Sequence, residues 1–179
     1  VTMQTFYFFI HSEQPYICVQ QTPIQDAEQQ FVWIDCTRED VVNRADLWQK
    51  EVLAQTSIHI NEYHIKDILN LEHPCAFDAM DEYDLLIFRK LITPDDSISN
   101  GENAIEQHER IFGLATSPVS FICTEQVIIT IREQGNHAVE SYLARIQNVI
   151  QKSIDEQNKP RKLVSSTLDL QLRLLNTMI

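Results

Sequence analysis

The run Leu85-Leu86-Ile87-Phe88, inside a strand-like stretch at 84–92, is apolar at every position. Strand side chains alternate between faces, so a strand apolar at consecutive positions is buried on both. That run demands packing against both faces of its sheet. Aromatic and β-branched stretches at 5–10, 16–19, 31–35, 111–115, 119–123 and 127–131 predict further strands. Thr124-Glu125-Gln126 joins the last two as a short hairpin connection.

Helical patterns separate these strands. From Thr37, an N-cap with Asp40 three residues on, Val41, Ala45, Trp48 and Val52 form one stripe that ends near residue 54. A second helix is predicted over about 61–70, with Ile65, Ile68 and Leu69 on one face. A third, 137–152 after Asn136, carries Val139, Tyr142, Leu143, Ile146, Val149 and Ile150, the cleanest helical period in the chain. A fourth runs from about Pro160 to the end, with Val164, Leu168, Leu175 and Met178 as its stripe. Strands and helices interleave early, strands cluster at 84–131, and two helices follow. The expected fold class is α/β: a mixed parallel and antiparallel sheet covered by helices. The body is expected at 1–158, and a C-terminal helical arm at 159–179. The arm stops at Ile179 inside an unfinished helical pattern, so a continuation of that helix is expected.

A hydrophobic fraction of 44% suits a globular protein rather than a disordered one. A net charge of −12 repels phosphate backbones and anionic membrane surfaces, so nucleic acid is not an expected partner. Metal cations and basic protein surfaces remain compatible with it. Cys18, Cys36 and Cys123 sit in or beside apolar runs and, with Cys75, show no C-x-x-C spacing; buried thiols are expected. No apolar stretch approaches the ~20 residues of a membrane span.

No catalytic constellation is present. His11, His59, His64, His73, His108 and His137 make no H-x-x-x-H pair on a helix, so surface or structural roles are expected. Three glycines leave no Gly-rich phosphate cradle, and Ser120 and Ser166 lack a nucleophile elbow. The chain is therefore not expected to be an enzyme. Two carboxylates are singled out by phase. Asp67 projects about 150° from the centre of its helix's apolar stripe, and Asp169 about 110° from the centre of its own. Both are expected to face outward, and they can meet only through tertiary or quaternary packing. Plain surface charge is the competing explanation for both. The cluster Asp78, Asp81, Glu82, Asp84 offers oxygen ligands but lacks EF-hand spacing, and a solvated turn is expected there.

Five segments, in order, resemble the CorA-type divalent-cation transporter family. Ile65-Lys66-Asp67-Ile68-Leu69-Asn70 with His73-Pro74 resembles its E-D-I-L-N … R-P segment, and Phe31-Val32-Trp33-Ile34 its W-I strand. Asp81-Glu82-Tyr83-Asp84-Leu85-Leu86 resembles its acidic-Y-x-F strand, and 119–122 with 127–133 its V-S … T-x-(R/H)-E hairpin. Leu163-Val164-Ser165-Ser166-Thr167-Leu168-Asp169 resembles its L-L … D helix. The resemblance implies an α/β/α domain on the cytoplasmic side of the inner membrane, in a homopentameric Mg2+/Co2+ transporter. The C-terminal arm would lead into a stalk helix and two membrane helices outside this chain. It further implies that Asp67 and Asp169 are metal ligands of a weak regulatory Mg2+ site, with Co2+ or Zn2+ as alternatives. A zinc-transporting branch of the superfamily and a free-standing binding or scaffold domain are the competing functions. One departure stands at Lys66, where the family often has an acid: an ammonium there opposes a second cation.

Overall fold

The computed structural model describes residues 3–10, 17–25, 27–93, 95–96, 110–111, 114–155 and 164–179. In chain order they form β1 (Gln4–Ile10), β2 (Ile17–Gln20), β3 (Glu28–Thr37), α1 (Arg38–Asn43), α2 (Ala45–Thr56), α3 (Glu62–Leu69), β4 (Ala76–Ala79) and β5 (Asp84–Leu91). There follow β6 (Arg110–Ile111), β7 (Leu114–Cys123), β8 (Val127–Arg132), α4 (His137–Asp155) and α5 (Thr167–Met178).

The sheet runs β2-β1-β3-β8-β7-β5-β4, with β6 paired to β7 off that path. β3 and β8 pair in parallel, Ile34 opposite Ile129, and the other described pairings are antiparallel. This is the mixed sheet expected. The parallel pair lies at its centre, and all six residues of β8 are buried. Alternation divides the core in two. Phe31, Trp33, Phe121 and Ile128 face α4 and α5. Val32, Ile34, Ile122, Ile129 and Ile131 face α1, α2 and α3. The result is the α/β/α layering. The doubly buried strands are β3 and β8 more than β5, where Leu86 and Phe88 are only partly covered. β5 lies one strand from the sheet edge.

Three local expectations change. The predicted helix from Thr37 is two helices, broken where Arg44 leaves helical geometry (φ −143°, ψ 45°). Thr37 does occupy the N-cap, but its hydroxyl donates to Asp40 Oδ2 at 2.9 Å instead of capping the backbone. The expected acidic turn at 78–84 is partly strand: the unpredicted β4 takes in Asp78, pairs with β5 and puts Asp78 opposite Leu85, and Asp84 opens β5. The strands predicted at 111–115 and 119–123 differ too: one strand, β7, takes in 114–123. The expected start of the last helix near Pro160 lies outside the described residues, as do His11 and His108. Cys36 is buried, and burial pushes its thiol up to about 12; Cys18 and Cys123 are half-buried, and Cys75 is exposed.

Candidate divalent-cation site

α3 is short, so its position depends on anchors at both ends. At its start Asn61 caps the helix, its side chain accepting the Tyr63 N–H at 2.9 Å. The Tyr83 hydroxyl oxygen accepts the Asn61 N–H at 2.9 Å and lies 2.8 Å from His64 Nδ1. Its own proton therefore goes to Nδ1, and His64 Nε2–H donates to Asp78 Oδ2 at 2.9 Å. Burial pushes the Tyr83 hydroxyl above its ordinary pKa, keeping it a donor. At the other end Arg38 donates to the Leu69 carbonyl. Arg89 Nη1 donates to the Leu71 and His73 carbonyls at 2.6 and 3.0 Å.

Ile65 and Ile68 fill the core, which turns Asp67 to the rim with its side chain 42% exposed. It is not a free surface charge: its Oδ1 lies 3.5 Å from His73 Nε2, in the turn that closes α3. The Lys66 ammonium is engaged over the Tyr63 ring, 5.5 Å from its centroid.

Asp169 faces outward as its phase predicted, yet both its oxygens are in use. Oδ1 accepts from Arg173 Nε at 2.9 Å, and Oδ2 from the Ser165 N–H and hydroxyl at 2.9 and 3.2 Å. The Arg173 hydrogen bond first, and the Ser165 amide second, hold its carboxyl below the usual range. Ser166 is the N-cap of α5, its hydroxyl accepting the Asp169 N–H at 3.1 Å, while the Asp169 carboxylate reaches back one residue further, to Ser165.

The two aspartates do not meet within one chain. α3 packs on one face of the sheet and α5 on the other. Among the described residues no group of three or more His, Cys, Asp or Glu side chains could hold a metal. A Mg2+ ion touches one or two carboxylates and keeps its waters, so the accessible Asp67 fits such an ion singly. Asp169 fits only if Arg173 lets go.

Sequence reasoning missed one buried network. Asp35 Oδ2 accepts from Arg132 Nη2 at 3.0 Å, and its Oδ1 from the Thr130 hydroxyl at 2.6 Å. Arg132 Nη1 also reaches Glu140 Oε1 at 3.1 Å. Burial works against the Arg132 charge, but Asp35 and Glu140 beside it hold the guanidinium above its ordinary pKa. The available signal was a charged residue inside an apolar strand, which needs a partner. Asp35 and Arg132 offset each other's charge across the ends of the parallel pair β3–β8, which marks them as a structural tie.

No curated protein sequence matches the chain. A family model described as "CorA-like Mg2+ transporter protein" matches residues 28–177. Solved structures that share the fold include these three. The ZntB cytoplasmic domain from Vibrio parahaemolyticus is similar with a TM-score of 0.56 and 15% identity, over 98% of this chain and 57% of that one. The CorA magnesium transporter from Methanocaldococcus jannaschii gives 0.52 and 14%, over 97% and 44%. The full-length CmaX protein gives 0.54 and 10%, over 98% and 45%. At these identities the likeness is one of fold. The chain spans 57% of the first of these proteins and less than half of the other two.

Proposed function

The chain belongs to the CorA-like Mg2+ transporter family, and on that premise we propose that it is the regulatory and assembly domain of a divalent-cation transporter. The observation that carries the reading is the family match over 28–177, together with a fold shared along 97–98% of the chain. No helix among the described residues is long and apolar enough to cross a membrane. We assign conduction to membrane segments outside these residues, and to this domain the sensing of the ion on the cytoplasmic side of the inner membrane.

In this reading Asp67 and Asp169 contribute to a regulatory site for Mg2+. Their placement on opposite faces suits a head-to-tail contact, in which one subunit's Asp67 approaches its neighbour's Asp169. Such heterologous contacts close into rings when the rotation allows, consistent with a homopentamer. Each subunit supplies few ligands, so binding is weak and depends on assembly. Arg173 competes with the ion for Asp169, which weakens it further.

The test uses the full-length transporter. Asp67→Ala or Asp169→Ala should reduce Mg2+-dependent protection from proteolysis and leave ion flux intact or raised. Wild-type protection in both variants across a magnesium titration would make these residues ordinary surface charges.

A further inference from the structure

We propose that Asp67 and His73 form an oxygen–nitrogen ligand pair that gives this site a preference for a borderline divalent cation, Zn2+ or Co2+, over Mg2+. The proposal rests on the reading of Asp67 as a divalent-cation ligand and adds the residue that decides the class of ion.

The argument starts from the imidazole. His73 Nδ1 lies 2.9 Å from the Pro74 carbonyl oxygen. A carbonyl only accepts, so Nδ1 carries a proton, and Nε2 is the ring nitrogen left to offer a lone pair to a metal. Histidines that bind metals are held in the same way, one ring N–H donated to a carbonyl or carboxylate and the other nitrogen on the ion. Nε2 is the nitrogen that faces Asp67 Oδ1, at 3.5 Å. Once Nε2 is unprotonated the pair offers two donor atoms, and a gap of that size suits a bridging cation.

The spacing also selects a geometry. Zinc bonds of about 2.0–2.1 Å at tetrahedral angles put neighbouring donor atoms ~3.3 Å apart. Octahedral Mg2+ bonds of about the same length put neighbouring donors ~2.9 Å apart. The observed separation is closer to the tetrahedral edge. The donor chemistry agrees, since imidazole suits zinc and its transition-metal neighbours, whereas Mg2+ takes carboxylate, carbonyl and water oxygens.

The pair is held in place before any ion arrives. His73 N–H donates to the Asn70 carbonyl at 3.1 Å, and Arg89 grips the His73 carbonyl. Both side chains stay reachable, 42% exposed for Asp67 and 20% for His73, which leaves room for water or a neighbouring subunit to complete the coordination.

Co2+ titration of the full-length, assembled transporter tests this, read by visible d–d absorption, which intensifies in tetrahedral sites, with Zn2+ as competitor. The expected result is a saturable band that Zn2+ abolishes and Mg2+ at equal concentration does not. His73→Gln should lower Co2+ and Zn2+ affinity by at least the ~10–100-fold that losing a group which merely supports a ligand costs, and lower Mg2+ affinity by a smaller factor. Paramagnetic shifts of the His73 ring protons on Co2+ addition give a readout in the unmutated chain. Unchanged Co2+ and Zn2+ affinity in His73→Gln, or unshifted His73 protons at saturation, overturns the pair. If Asp67→Ala still loses Mg2+ protection in the transporter, the regulatory reading survives that failure. If it does not, both fall.

Discussion

Asp96 illustrates what one residue can hold together. It is buried, and its carboxylate accepts from the Lys90 ammonium, the Thr93 N–H and hydroxyl, and the His137 N–H that opens α4. Burial alone would raise its pKa, but these four donors outweigh burial and hold it below the ordinary value. A lowered folded pKa contributes stability that is present above the unfolded value of about 3.9 and lost as pH falls through the folded value. Asp96→Asn should therefore cost about 3–5 kcal/mol near neutral pH, because Lys90 is left buried without its partner. The gap between the two proteins should narrow as pH falls below about 4. Urea unfolding over a pH series measures this. A gap that stays constant into strong acid would show that the charge on Asp96 is not what stabilises. At the same scale, phase alone predicted that Asp67 and Asp169 face outward. Their partners His73, Arg173 and Ser165 became visible only once the turns were built.

At the scale of elements, α5 shows where periodicity stops deciding. Leucines at 168, 170, 172, 174 and 175 allow more than one stripe at helical spacing. The expected stripe was Val164, Leu168, Leu175 and Met178. The buried set is Val164, Leu170, Leu174 and Met178, while Leu168 is 60% and Leu172 57% exposed. Ser166 caps the helix, and the Thr167 hydroxyl donates to the Thr124 carbonyl at 2.6 Å, so the β7–β8 turn fixes the rotation. Leu170→Ala or Leu174→Ala should cost about 2–5 kcal/mol, and Leu168→Ala no more than about 0.5 kcal/mol. Chemical denaturation of the three variants checks this, and equal losses at 168 and 170 would refute the observed phase.

At the scale of the whole molecule, the exposed leucines become an assembly question. Leu168 and Leu172 leave an apolar strip on the outer side of α5, and such strips favour association. Sedimentation of the chain over a range of concentrations should show reversible self-association. Replacing both leucines with lysine should weaken it. A strict monomer at every concentration would remove α5 from the assembly surface.

The sequence by itself determined the strand and helix types, the α/β class, the covering of the sheet by helices and the outward faces of Asp67 and Asp169. These follow from periods of 2 and 3.6 residues, which each segment carries locally. Only the tertiary structure decided that Asp35 and Arg132, 97 residues apart, form one buried pair. It alone decided that His64 ties α3 to Tyr83 and Asp78, that β4 forms an edge, and that α3 and α5 take opposite faces of the sheet. The reason is that a local period states which side of an element is apolar. Which other element meets that side, and which charge meets a charge buried with it, depends on strand order and chain path, and no single segment encodes either.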